Sequence, residues 1–253
     1  MTTRDTHSIG APCLVDTFQP DPRAAMDFYG ALFGWSFDDP VPMPAGLEGE
    51  YFAARLRGRR VAGVGQAPAL SGPTWNTYVR VDDIGQALAR AEHAGGRLLA
   101  GPFAAASGGG LAVVADATGV PFCLWQSGEN DGAELADEPN SWAMSSLHTS
   151  DVSKAQAFYG AMFGWDLESV PDVAFSLWRQ SGRVVAVVTA TDGTAVPPHW
   201  SVNFAVHDAD STARRAVALG GSILMAPMDT PGFRNAVIGD PQGGFFAVSA
   251  AAG

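Results

Sequence analysis

One eight-residue string recurs in this chain with a single change, Leu32 to Met162. Phe28-Tyr29-Gly30-Ala31-Leu32-Phe33-Gly34-Trp35 returns as Phe158-Tyr159-Gly160-Ala161-Met162-Phe163-Gly164-Trp165, an offset of 130 (158 − 28). A second block repeats at 125 (200 − 75): Trp75, Val81, Asp83, Ala91, Gly95, Gly96, Leu99 and Pro102 match Trp200, Val206, Asp208, Ala216, Gly220, Gly221, Leu224 and Pro227. A third, at 124 (240 − 116), pairs Asp116, Gly119 and Phe122 with Asp240, Gly243 and Phe246. Order is kept while the offset drifts by a few residues, as loop insertions produce. The chain is therefore two copies of one domain, and any fold assigned to it must be built twice.

The repeat sets the boundaries. Residues 1–10 read as a flexible N-terminal tail, 11–127 as the first domain, 128–140 as an acidic linker with almost nothing to bury, and 141–250 as the second domain. Each copy opens on an extended run, Ala11 to Phe18 or Ser141 to Thr149, and passes through an Asp into a helix. Asp21 and Asp151 suit N-caps because a carboxylate accepts the unpaired N–H groups of the first turn. Pro22 suits the first helical position, and Gly34 and Gly164 stop the helices. Ala25, Phe28, Tyr29 and Leu32 share one apolar face at helical spacing. Three strand-like runs follow; in the second copy Ala174 to Arg179 and Val184 to Thr191 flank a hairpin turn. Trp75 to Val81 then reads as a strand, Ile84 to Ala94 as a helix after Asp83, and two more strands finish at Trp125. Each domain is thus α+β, made of two βαβββ modules.

With 47% hydrophobic and 16% charged residues, composition excludes a chain disordered throughout. The net charge of −11 argues against a nucleic-acid partner, since the basic run Arg55, Arg57, Arg59 and Arg60 reads as the solvated face and turn of a hairpin. Only Cys13 and Cys123 are present, which is no disulfide framework and fits a cytoplasmic setting. No stretch approaches the roughly 18 apolar residues of a membrane helix, so no membrane partner is expected. Nucleophile elbows, P-loops and dinucleotide fingerprints are missing.

The repeated Phe-Tyr-Gly-x-(Leu/Met)-Phe-Gly-Trp helix, with its terminal Asp-x-x-Gly strand pair, resembles the vicinal oxygen chelate superfamily of glyoxalase I, bleomycin-resistance proteins and extradiol dioxygenases. The likeness covers about residues 11–127 and 141–250 and is nearest to the tandem, two-domain glyoxalase-like proteins of actinobacteria. It implies two half-open cups of eight strands each. It also implies a divalent metal held by His or Glu from the first, fourth, fifth and eighth strands. Counting from the repeated Asp residues, the first-, fifth- and eighth-strand positions fall at Leu14, Asn76 and Cys123, and in the second copy at Met144, Ser201 and Ala247. The fourth strands, around Val61 to Gln66 and Val184 to Thr189, carry no His, Asp or Glu. Such side chains cannot make that site, so no metal and no cofactor are expected.

Strand alternation predicts what lines each cup. In the first these are Leu14, Asp16, Phe18, Asn76, Tyr78, Arg80, Pro121, Cys123 and Trp125. In the second they are Met144, Ser146, His148, Ser201, Asn203, Phe245, Ala247 and Ser249. The candidate ligand-binding residues are the polar and aromatic members: Asp16, Asn76, Tyr78, Arg80, Cys123, Trp125, Ser146, His148, Ser201 and Asn203. Asp16 reads as the partner of Arg80 in an ion pair or as a ligand-orienting group or base. Cys123 reads as an inert buried thiol. Of the five histidines, His7 lies in the tail, His93 near a helix end and His207 at a strand exit, while His148 and His199 lie on cup strands. The leading expectation is a metal-free protein binding a small organic, partly aromatic molecule in one or both cups. The alternatives are a lyase or isomerase, metal-dependent or using Asp16 as base, and an assembly protein with vestigial cups. The chain would act as a monomer of paired domains or as a homodimer.

Overall fold

The computed structural model describes residues 8–105, 108–129, 131–194 and 196–252. The first copy runs β1 (Pro12–Gln19), α1 (Pro22–Phe33), β2 (Ser36–Phe37), β3 (Val41–Pro42), β4 (Glu50–Leu56), β5 (Arg59–Gln66), β6 (Thr74–Val81), α2 (Ile84–His93), β7 (Arg97–Ala104), β8 (Gly110–Ala115) and β9 (Pro121–Gln126). The second runs β10 (Trp142–Thr149), α3 (Val152–Phe163), β11 (Asp166–Ser169), β12 (Phe175–Gln180), β13 (Arg183–Ala190), β14 (His199–Ala205), α4 (Ala209–Ala218), β15 (Ser222–Thr230), β16 (Phe233–Gly239) and β17 (Phe245–Ala251). Both sheets are open and share one order, β2-β4-β5-β1-β6-β9-β8-β7 and β11-β12-β13-β10-β14-β17-β16-β15. The two βαβββ modules per domain are as expected; the first sheet adds the two-residue β3 against β4.

The capping signals act as the residue types demand. Asp21 accepts from the N–H groups of Arg23 and Ala24, Asp151 from that of Lys154, and Gly34 and Gly164 end the helices at φ 75° and 68°, where a side chain would be strained.

The cores do not follow the domain boundary. One cluster joins Val15, Phe28, Tyr29 and Phe33 of the first copy to Phe204, Ala213, Ile238 and Phe246 of the second. The other joins Val79, Ala87 and Phe122 to Leu147, Phe158, Tyr159 and Trp178. Each core is thus half one domain and half the other, although the sequence reads as two domains with a core apiece. The repeated polar residues make the same crossing. Tyr29 Oη donates to Asp240 Oδ2 at 2.7 Å, Gln19 Nε2 donates to that oxygen at 2.8 Å, and Trp75 Nε1 donates to Tyr29 Oη at 3.1 Å. Reciprocally, Tyr159 Oη donates to Asp116 Oδ2 at 3.0 Å and Trp200 Nε1 to Tyr159 Oη at 3.0 Å. The other oxygen of each Asp closes its own Asp-x-x-Gly turn by accepting backbone N–H groups. A buried carboxylate needs such donors, which accounts for the recurrence of Asp, Tyr and Trp together. The helix side of each sheet faces the other domain, so the cup faces point outward.

The expected linker is a packed strap. Ala133 and Leu135 are buried in the first shared core. The N–H groups of Glu134 and Leu135 bond the Arg60 carbonyl, and that of Ala133 bonds the Cys13 carbonyl. Its acids meet the basic run: Glu134 pairs with Arg55, and Glu138 with Arg57 and Arg59. Such exposed pairs contribute at most about 1 kcal/mol each, whereas burying one Leu contributes about 1.5–3 kcal/mol, so Leu135 anchors the strap more than its charges do. Of the tail expected over 1–10, residues 8–10 are fixed, with Gly10 bonded to Arg80 and its carbonyl accepting from Trp165 Nε1 at 2.7 Å. His7 and residues 1–6 lie outside the described residues.

Candidate functional site

In the first cup, β1, β4 and β6 bring three donors onto one carboxylate. Asp16, 1% exposed, accepts from Tyr78 Oη at 2.7 Å, Asn76 Nδ2 at 2.8 Å and Tyr51 Oη at 3.3 Å. Register explains the meeting: Asp16 lies opposite Asn76 on one side and Gly63 on the other, with Leu14 opposite Tyr78 and Tyr78 opposite Cys123. Tyr51 reaches inward because β5 is bare beneath it; a Cβ on Gly63 would stand 1.9 Å from its hydroxyl, and one on Gly65 would strike the Phe18 ring at 2.9 Å. Burial raises the Asp16 pKa to about 6, against the opposing pull of its hydrogen bonds from Asn76, Tyr78 and Tyr51. Leu14, Tyr78, Cys123 and Trp125 pack with Cys13 into a small buried cluster on this face. Burial first, then the Asp16 charge, raises the Cys123 thiol well above its ordinary range, which favours its protonated form.

Arg80 does not pair with Asp16. Its guanidinium turns to Asp131 of the strap, 3.0 Å away, so the ion pair expected across the cup is absent and the carboxylate has no cation against it. Tyr51 was not singled out from the sequence. Its signal was the pair Gly63-Val64-Gly65, since alternate glycines in a strand mark a close approach.

The second cup keeps the register and changes the residues. Ser146 lies opposite Ser201 and Val187, Met144 opposite Asn203, and Asn203 opposite Ala247. All of these are half-buried, in contrast to Asp16, Tyr78 and Cys123. His148 and His199, directly opposite on β10 and β14, stack with ring centres 4.6 Å apart at 4°, and Phe245 meets His199 edge-on. Burial, then the neighbouring His199, lowers the His148 pKa to about 4; burial likewise lowers that of His199. Both rings are therefore neutral at pH 7. His199 Nδ1 sits 2.8 Å from the Pro197 carbonyl, which can only accept, so Nδ1 holds the proton and Nε2 keeps a lone pair. Ser201 Oγ lies 3.3 Å from His148 Nε2. Asn203 donates to Ser249, which donates to Asn235, leaving Asn203 Oδ1 buried without a donor. Across β10, β13, β14 and β17 this face carries no charged side chain.

This doubled, open-sheet architecture defines a class. The chain belongs to the glyoxalase-like domain family, whose pattern matches residues 13–125 and again 144–249, and it has the vicinal oxygen chelate fold. Among its relatives, the protein named "Putative glyoxylase CFP32" of Mycobacterium tuberculosis is 37% identical over 261 residues, covering 98% of this chain and 97% of that one. The anthracycline biosynthesis protein DnrV of Streptomyces peucetius is 36% identical over 257 residues, covering 94% and 92%. The Mn(II)-bound glyoxalase of Novosphingobium aromaticivorans superposes with a TM-score of 0.66 at 17% identity, covering 96% of this chain and 82% of that one, and so shares the fold.

The metal implied by that fold does not suit the residues here. The expected ligand positions hold Leu14, Asn76, Cys123, Met144, Ser201 and Ala247, and Cys123 is a buried thiol held in its protonated form. Among the described residues no three His, Cys, Asp or Glu side chains converge. His148 and His199 lie face to face, so their lone pairs run side by side rather than toward one point.

Proposed function

We propose that this is a metal-free glyoxalase-like protein that binds a small, uncharged organic molecule of aromatic character in its second cup. The observation that supports this most is the half-open face, uncharged across β10, β13, β14 and β17, in which neutral, stacked imidazoles stand beside unpaired acceptors, His199 Nε2 and Asn203 Oδ1. A flat ring gains dispersion and stacking against the imidazoles and Phe245, and a ligand hydroxyl or N–H would satisfy an acceptor that is otherwise costly to bury. The names of the anthracycline biosynthesis relatives agree with an aromatic ligand. The two buried free thiols fit a reducing cytoplasm, and the domains, paired through shared cores within one chain, suffice as a monomer.

Two measurements test this. Elemental analysis of purified protein should find no stoichiometric transition metal; a tightly held one overturns the metal-free reading. Titration with aromatic natural products, an anthracycline and a quinone among them, should move the His148 and His199 ring signals in NMR spectra. If no compound moves either ring, the second cup is not the binding site.

A further inference from the structure

Two buried donors of the first copy lack an acceptor, and both lie at the end of its sheet where the strap begins. Among the described residues, Arg80 Nε and Ser127 Oγ are buried and meet no hydrogen-bond partner. Most buried polar groups are paired, so two orphans in one place call for a missing partner. Register shows that the place is shared. Arg80 of β6 lies opposite Trp125 of β9 and Val81 opposite Gln126, and Ser127 is the next residue along. Ser127 has the parity of Trp125, so alternation turns it to the face on which Arg80 stands. The chain then doubles back, and Asp131 of the strap sets its Oδ1 3.0 Å from Arg80 Nη2.

Asp131 uses that guanidinium only in part. The Nε–H of an arginine and one Nη2–H point the same way and match the two oxygens of a single carboxylate. Here one Asp131 oxygen stands at Nη2, and the Nε–H beside it is empty. The pair is also reached from solvent: the Asp131 side chain is 53% exposed, against 18% for that of Arg80. Ala133 and Leu135 anchor the strap further along, so the Asp131 side chain can leave without unseating it. Nor does the fold require a cation here. At the register positions of Arg80 and Ser127 the second copy has Ala205 and Ala251, and its sheet keeps the same strand order.

We propose that Arg80 and Ser127 form a carboxylate-binding site at the strap end of the first cup, with Asp131 as its built-in competitor. The incoming carboxylate accepts from Nε–H and Nη2–H of Arg80 as a pair and from the Ser127 O–H as a third donor. Asp131 swings out into water, where its charge is hydrated instead of paired. The ligand is a small organic acid that enters by its carboxylate alone, because the neighbouring cluster of Leu14, Cys123 and Trp125 is already packed.

The test follows the Arg80 Nε–H signal in 15N-edited NMR spectra of the whole protein during addition of sodium acetate. Sodium chloride is the ionic-strength control, and Arg80→Lys identifies the signal by its loss. Acetate should shift the signal saturably, and chloride should not. Asp131→Asn removes the competing charge and should lower the half-saturating acetate concentration about tenfold, the scale of one hydrogen bond to a charged group. Ser127→Ala should raise it about threefold. The proposal is overturned by no saturable shift in either the parent or Asp131→Asn, by equal half-saturation in the two, or by the same shift with chloride. Asp131 is half-exposed, so the deciding comparison does not depend on a substitution in the buried sheet. Acetate has no ring, so failure here leaves the aromatic ligand of the second cup untouched.

Discussion

In the first cup the polar groups turn inward and close on one another; in the second the groups at the same register stay half-exposed. The backbones do not account for this, since strand order and cross-strand pairing match position by position. Side-chain volume on one strand does. Where β5 has Gly63 and Gly65, Tyr51 lies flat across the strand and fills the cup; where β13 has Val187 and Thr189, the aromatic on the neighbouring strand is Phe175, with no hydroxyl to offer. The cups also titrate in opposite senses. Asp16 binds its proton more tightly in the folded protein than in the unfolded chain, and His148 less tightly. Duplication has thus given two faces of one shape with opposed electrostatics.

Asp16→Asn tests the contrast most strongly. The folded pKa of about 6 exceeds the ordinary 3.8, so the stability linked to this group is present below pH 4 and lost as pH rises through 6. At pH 8 the ionised carboxylate costs up to about 3 kcal/mol. The Asn variant should therefore unfold at higher denaturant than the parent at pH 8 and converge with it near pH 4; a constant gap would show that burial of the charge is not what sets the cup. Gly63→Val, which installs the second copy's residue, should cost roughly 2 kcal/mol through the clash with Tyr51. Tyr51→Phe in the same chain should recover part of that loss, because the atom nearest the new Cβ is the hydroxyl. The smallest effect is expected for His148→Phe, which copies Phe18. A His with a lowered folded pKa takes stability away as pH falls from 6.5 through about 4. Since the ring is partly exposed and screened, the variant should gain only about 1 kcal/mol at pH 4.5 and nothing at pH 7, as read by chemical denaturation.

Much of the fold was legible because its signals are local. Asp21, Asp151, Asp83 and Asp208 cap helices a residue or two downstream, and alternation along β1, β6, β10 and β14 sorted cup residues from core residues. The division of the cores was not legible. Period says that Phe28 and Tyr29 are buried, and nothing in it says that Phe204 and Phe246 bury them. Tyr51 escaped because its role depends on the absence of side chains on a neighbouring strand. The Arg80 pairing offered for Asp16 fails for a related reason: Arg80 has the right parity but the strap, read as an acidic linker, brings Asp131 to it. Linker acids and hairpin arginines each looked solvated alone, and each is the other's counter-charge.

The reciprocal Tyr–Asp bonds set an order of events on the ribosome. Tyr29 emerges early, yet the carboxylate it bonds belongs to Asp240, 211 residues later, and the Phe246 ring that packs beside it comes later still. Tyr159 and Asp116, by contrast, are 43 residues apart. During synthesis the core around α3 can close while translation continues, whereas the core around α1 waits for the last strand to leave the exit tunnel. The nascent first half therefore lacks the second-copy partners of its aromatic face, from Phe28 to Trp35, for nearly the whole of its synthesis, and incompletely covered apolar surface of that kind favours aggregation.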